Sequence, residues 1–268
     1  AGMFDVDACG IASGLCDEEQ MCMVAGTWSI NEFIRREPVT NGSVALNSMF
    51  CIPGYFLVEE SSPTSAGNME WFITNLMSHE KEECRTAGGS VYELTNEWAE
   101  SVEPQDCNLI FLPFLNGSNE DALAKGTFAG LSAYHSKKHM LRAVYEGVVF
   151  SHLTHVKKLL QNREAPKSIR LSGGAANSDV WVQIFADALQ IPVDVIEDKE
   201  LGAQGAAMAA GIAAGIYRDY GDAVKRTVKI TKTVLPRPLY KEVYEEKYRT
   251  YRAVIEGLGG TWERFRIE

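Results

Sequence analysis

Residues 170–189, RLSGGAANSDVWVQIFADAL, set an apolar run against two glycines, two alanines and an asparagine, and then begin an amphipathic helical period. A strand that passes into a helix through the smallest residues available is the mark of an α/β unit. The next stretch repeats the alternation, with an apolar run PVDVIE and a small-residue helix from about residue 203. Small residues at such a junction let another group approach the backbone closely, and a helix N-terminus offers unpaired N–H groups to an acceptor. They equally suit a plain tight turn.

The rest of the chain divides into a β-rich opening and a helical middle. MCMVAGTWSINEF reads as strand, tight turn at Gly26-Thr27 and strand, and SVALNSMFCIPGYFLVEE as a second hairpin broken at Pro53-Gly54. A helix is expected from about residue 7. Met69, Phe72, Ile73 and Leu76 share one helical stripe, as do Val91, Leu94 and Trp98. NLIFLPFLNG reads as a buried strand. From His139 to Leu160, apolar residues and His152 recur at spacings of three and four, the signature of a long amphipathic helix. The tail from Leu239 reads as a closing helix, and 81–90 and 116–127 as surface loops. The abrupt opening, without methionine, reads as a piece of a longer chain.

With 268 residues, 46% hydrophobic and 23% charged, the chain has the composition of a soluble globular protein. Its net charge of −10, with no basic cluster, disfavours nucleic acid and anionic membrane surfaces as partners. A nucleotide remains possible, since backbone N–H groups and a metal ion hold phosphates without a basic surface. No apolar run reaches the ~18 residues of a membrane span. The six cysteines show no C-x-x-C pairing and read as reduced thiols, which implies a cytoplasmic location.

Three glycine-containing turns are candidates for chemistry: AGTWS at 25–29, SAGNMEW at 65–71 and GGAANS at 173–178. Each alone fits a hairpin or a helix cap as well as an anion site. Asp5 and Asp7 stand in a small-residue stretch, where a carboxylate serves as general base, metal ligand or helix cap. His152-x-x-His155 and His135-x-x-x-His139 lack a carboxylate or cysteine partner in sequence, which argues against zinc, so no metal ligand is assigned. No serine lies in G-x-S-x-G, which disfavours a serine hydrolase.

In order and spacing, GMFDVDACGIASGL, AGTWS, SPTSAGNMEWF, KGTFAGLSAYHSKKHMLRAVYEGVVF, LSGGAANSDVWVQIFADALQIPV and ELGAQGAAMAAGIAAGIY together resemble the C-terminal half of the FGGY carbohydrate kinases. The wording of SPTSAGNMEWF and GTWS is most similar to the L-xylulose kinases, within the xylulokinase-like pentulose kinases. The resemblance implies an α/β fold of the actin-like ATPase, ribonuclease-H-like kind, with a mixed central sheet flanked by helices. Residues 1–10 would close an N-terminal sugar-binding domain and hinge, and 11–268 would form the ATP-binding domain. Asp5 falls on the catalytic base, Gly26 and Thr27 on a phosphate loop, and Gly67 (or Ala66) and Glu70 beside the phosphates and ribose. Gly173, Gly174 and Asn177 fall on the adenosine motif.

What the resemblance implies, then, is transfer of the γ-phosphate of ATP, with Mg²⁺, to a hydroxyl of a ketopentose or related polyol. The partners are ATP, the sugar and an N-terminal domain absent from this sequence, and a homodimer is compatible with it. Two departures stand out. NGSNEDA replaces a Gly-Glu-Arg stretch found in many relatives, and bulky Trp28 follows the Gly-Thr pair. The competing reading is a non-catalytic actin-like module that binds nucleotide as a switch; a carboxylate at Asp5 has no purpose there. A dinucleotide-binding domain is weaker, because SGGAAN lacks the third glycine of G-x-G-x-x-G.

Overall fold

The computed structural model describes residues 3–197 and 200–265. Ala1 and Gly2, at the head of the expected 1–10 hinge segment, lie outside the described residues. Helix α1 (Asp5–Ala12) opens the chain, two residues ahead of the expected start. Strands β1 (Cys22–Ala25) and β2 (Ser29–Arg35) form a hairpin about Gly26-Thr27, and β3 (Leu46–Met49) and β4 (Phe56–Ser62) a second about Pro53-Gly54. Helices α2 (Gly67–Leu76), α3 (Ser78–Thr86) and α4 (Val91–Glu100) follow, then a small ribbon of β5 (Ile110–Leu112) and β6 (Thr127–Ala129). The long helix α5 (Lys137–Leu159) leads into β7 (Ile169–Ser172), α6 (Asp179–Leu189), β8 (Val193–Ile196) and α7 (Leu201–Ala213). Helix α8 (Tyr220–Thr227), strand β9 (Ile230–Val234) and helix α9 (Lys241–Leu258) close the chain.

One expectation is corrected. Residues 81–90 do not form only a loop, since α3 runs through Thr86. None of its side chains is buried, so no apolar period marks it; instead Arg85 pairs with Glu82 one turn away and Lys137 reaches Glu80 at 2.6 Å. The stretch before the tail, for which the sequence reading assigns no element, holds α8 and β9. The former is only eight residues long and announced chiefly by its cap, Asp219, whose Oδ1 accepts the Asp222 N–H at 2.8 Å. The latter is a largely exposed edge strand without alternation.

Seven strands form one mixed sheet in the order β3-β4-β2-β1-β7-β8-β9. The pairs β1–β7 and β7–β8 are parallel and the others antiparallel. Strand alternation sends Met23, Phe33, Val58 and Leu171 into the larger core, beneath α5 and α6. Cys22, Ile34, Leu57 and Ile196 point the other way, into a smaller core under α1, α7 and α8. This is the mixed sheet flanked by helices expected above.

Helix α1 is held against α7 by backbone proximity. A Cβ added at Gly205 would lie 2.0 Å from the Ala8 carbonyl oxygen, so only glycine permits this contact. Gly205→Ala is therefore expected to separate the two helices and destabilise the fold by about 1–3 kcal/mol in urea denaturation. Gly257→Ala, on α9 and facing open space, should be neutral or slightly stabilising. Equal midpoints for the two variants would refute the packing.

Candidate functional site

Topology brings the three glycine turns together. Strands β1, β4 and β7 all run in the same direction, because β1 and β7 are parallel and β2 lies antiparallel between β1 and β4. Their carboxyl ends, Ala25, Ser62 and Ser172, therefore lie at one edge of the sheet, where open α/β sheets bind ligands. The Ser65 N–H donates to the Thr27 carbonyl at 3.0 Å. Gly67 stands over the same residue, its missing Cβ only 3.9 Å from Thr27 Cα. A Cβ at Gly173 would fall 2.7 Å from the Ala25 carbonyl, and its φ of +84° is one that side chains avoid. The Gly26 N–H is spent on the Trp28 carbonyl at 3.2 Å, so the exposed Thr27 is the residue this turn can present.

His152, on α5 and fully buried, fastens two of these turns. Its Nδ1 lies 2.8 Å from Asn31 Oδ1 and 3.2 Å from Ser29 Oγ, and its Nε2 2.8 Å from Ser65 Oγ. Burial pushes its pKa down to about 3, so the ring is neutral. The Asn31 amide nitrogen donates to Glu60 O and Ser29 Oγ, which makes Oδ1 the acceptor. Nδ1 thus carries the proton and Nε2 accepts from Ser65.

Beyond the turns lies a cavity of about 370 Å³. Gly174 and Asn177 begin and end one short 3-10 turn, so their exposed faces nearly eclipse and both line the space. Ala66, Met69 and Glu70 from α2 form another wall. The Glu70 carboxylate accepts from Tyr92 Oη at 2.6 Å, Thr74 at 3.1 Å and Lys81 at 3.4 Å. Those bonds, led by Tyr92, hold its pKa low. An aromatic floor of Tyr145 and Trp181, with ring centroids 4.5 Å apart, completes an apolar slot with a polar rim. Such a shape suits a flat heteroaromatic ring.

Comparison with known proteins identifies the family. Residues 21–214 match the model of the FGGY family of carbohydrate kinases, C-terminal domain. The chain belongs to this family. It is 33% identical over 267 residues to the L-xylulose/3-keto-L-gulonate kinase of Escherichia coli (strain K12), covering 99% of this chain and 51% of that protein. A probable L-xylulose kinase of Pasteurella multocida (strain Pm70) is 30% identical, over 96% and 50%. Among solved structures, xylulose kinase from Rhodospirillum rubrum superposes with a TM-score of 0.84 at 26% identity, over 98% of this chain and 52% of that one. The chain thus spans about half the length of its FGGY-family relatives.

Of the residues singled out in the sequence, the structure groups Gly26, Thr27, Gly67 and Gly173 at the turns and Glu70, Gly174 and Asn177 at the cavity. Asp5 is not in that group. It is the first residue of α1, exposed, with Oδ1 accepting the Val6 N–H at 3.0 Å, and α1 covers the other face of the sheet. Behind it lies an acidic cluster that the sequence did not disclose. Glu32 and Glu59 face each other across β2 and β4, and among the described residues Glu32 has no hydrogen-bond partner on either oxygen. Burial first, then the neighbouring Glu59 and Asp7, push Glu32 well above the usual carboxylate range. Desolvation likewise raises Glu59, and the Asp5 and Glu60 carboxylates add to the effect. Asp7 is 5% exposed, and burial raises it from 3.8 to about 6, opposed by the Cys51 backbone N–H.

Tyr92, Asn96, Tyr145 and Trp181 in the cavity escaped sequence reasoning, and His152, weighed there as a zinc ligand, and Ser65, within the SAGNMEW turn, serve instead to bridge the turns. The spacing of Tyr92 and Asn96, four apart opposite the apolar stripe of α4, was the only signal for the first pair. His155, the other member of the His-x-x-His pair, meets Glu60 Oε2 at 3.3 Å. Among the described residues, no three metal-ligating side chains converge. A Mg²⁺ ion carried on nucleotide phosphates and water needs no such cage.

Gly174→Val has room in the fold, because the nearest atom to its Cβ would be Ala66 Cβ at 3.9 Å. Its methyl groups enter the cavity instead. Calorimetric titration with ADP should show binding lost, while the denaturation midpoint moves little; retained binding would place the nucleotide elsewhere.

Asp7 gives a test by pH. Its folded pKa lies above its unfolded one, so stability falls as pH rises from about 4 to about 6 and is level above. Asp7→Asn removes the charge and should stabilise the chain at pH 8 by about 1–2 kcal/mol once solvent screening is allowed for, with no gain at pH 4. Denaturation curves at the two pH values would check this, and a gain of equal size at both would contradict it.

Proposed function

We propose that the chain is the nucleotide-binding half of an ATP-dependent carbohydrate kinase, acting in the cytoplasm on a ketopentose of the xylulose type. The observation that carries this reading is the convergence of three turns at one sheet edge onto a slot lined by Gly174, Asn177 and Glu70. Adenine enters the slot against the bare Gly174 backbone, Asn177 hydrogen-bonds the base, and Glu70 accepts from the ribose. The phosphates run toward Thr27 and Gly67, with Mg²⁺ arriving on them as part of the substrate. An N-terminal sugar-binding half, joined through residues 1–10, completes the phosphate cradle and supplies most of the sugar pocket. The names and identities of the two L-xylulose kinase relatives support the choice of sugar.

In the reaction the sugar hydroxyl oxygen attacks the γ-phosphorus in line and the bond from that phosphorus to the β-γ bridging oxygen breaks. ADP leaves, and the hydroxyl proton passes to Asp5. Asp5 suits this task because it is exposed at the head of α1, unlike the buried carboxylates behind it. Binding positions the reactants, with exposed Thr27 meeting the phosphates, and Mg²⁺ carried on those phosphates would supply charge stabilisation of the phosphoryl group.

In the protein carrying both halves, Asp5→Asn should lower kcat by ~10²–10⁴ while leaving both KM values nearly unchanged. Asparagine caps a helix as well as aspartate, so a merely structural Asp5 would tolerate the change, and an unchanged kcat would refute the assignment. The present chain alone should bind ADP yet release none from ATP in a sugar-dependent manner; turnover by this chain alone would overturn the division of labour.

A further inference from the structure

We propose that Asn96 reads the nucleobase, offering a fixed N–H donor that accepts the N1 edge of adenine and rejects that of guanine. The inference rests on the nucleotide reading above and extends it to the choice of base. Asn96 is half-buried on α4 and lines the slot. Its Oδ1 accepts from Ser178 Oγ at 2.6 Å and from Tyr145 Oη at 2.9 Å.

The amide lies with its oxygen toward two hydroxyls. Ser178 caps α6, its Oγ accepting the Trp181 N–H at 3.1 Å, while its own hydroxyl donates to Asn96 Oδ1. Thr95 gives its own proton to the Tyr92 carbonyl at 2.8 Å and can only accept from Tyr145, 3.2 Å away. The Tyr145 proton therefore points into the space between Thr95 and Asn96. The carbonyl end is thus committed to the protein and the –NH₂ is the end left for a ligand; among the described residues no protein acceptor is bonded to it.

Position along the slot decides which edge of the base it meets. Gly173 marks the phosphate end, against Ala25 and Gly26, and the 3-10 turn runs from there through Gly174 and Asn177 to Ser178, where Asn96 is anchored. The edge of a purine farthest from the sugar is its Watson–Crick edge. In adenine N1 is an acceptor there; in guanine N1 carries a proton and would set donor against donor.

Asn96→Asp keeps the acceptor that Ser178 and Tyr145 need and replaces only the free donor by an acceptor. Calorimetry on the chain should show the ratio of ADP to GDP affinity falling roughly tenfold or more. General repulsion by the new charge acts on both nucleotides and cancels in the ratio. A second measurement needs no variant: 1-deaza-ADP, with C–H in place of N1, should bind the unaltered chain roughly tenfold more weakly than ADP. An unchanged ADP to GDP ratio in the variant, or equal binding of ADP and its 1-deaza analogue, would overturn the role of Asn96 while leaving the slot as a nucleotide site. Failure of ADP to bind the unaltered chain would refute the nucleotide reading itself, and this inference with it.

Discussion

One buried, neutral imidazole holds the edge of the sheet in register with the helix behind it. His152 donates to Asn31 at the foot of the β1–β2 hairpin and accepts from Ser65 at the end of the β4 turn, so a single rigid side chain spaces two loops that have no covalent reason to stay together. Loops are ordinarily the most mobile parts of a fold. These two are tied to the middle of a 23-residue helix whose other side chains fill the main core. With Gly173 pressed against Ala25, the third turn is held against the first by close backbone contact. Burial, with the neighbouring His155 adding to it, disfavours the charged ring, so the bridge is made by neutral imidazole.

The larger elements were legible because their burial is periodic. Both hairpins, α5, and the β7–α6–β8–α7 succession stand where alternation and helical spacing put them. What escaped has a common physical cause. Helix α3 buries nothing, α8 is amphipathic but only two turns long and β9 is an edge, so none carries an apolar period over a readable length. The site shows the same division. Its glycines were legible as punctuation, since only glycine tolerates the backbone at Gly173, whereas Asn96, Tyr145 and His152 belong to the site through contacts more than 40 residues away in sequence. His152 in particular sits in the apolar stripe of α5, where a core histidine and a structural bridge have the same spelling.

The opposite face of the sheet is built on less favourable terms. Glu32 and Glu59 are a cross-strand pair of like groups beneath α1, with Asp7 as a third. Three charges in such a place would repel and lack water, so the cluster holds protons that exposed carboxylates would have lost. Gly10 makes room for it, because a Cβ there would lie 3.0 Å from Glu32 Oε1. Natural folds tolerate such local conflicts most often near functional sites, and this one lies under the helix that begins with Asp5.

The proposed chemistry makes sense of that division between faces. The turns that would hold phosphate and the helix that would present the base belong to one packed body, the first fixed by His152 and Gly173, the second by the contact of Gly205 with Ala8. Neither depends on the other's side chains, yet both are referenced to the same sheet: β1 carries the Gly26-Thr27 turn, and β4 carries both the Ser65 turn and Glu59, whose environment feels Asp5. A base and a phosphate cradle set by one sheet keep their spacing whatever a second domain does. Closure of a sugar-bearing domain then has to bring only the hydroxyl into line, so the entropy of aligning base and phosphoryl group is met when this half folds and not at each turnover.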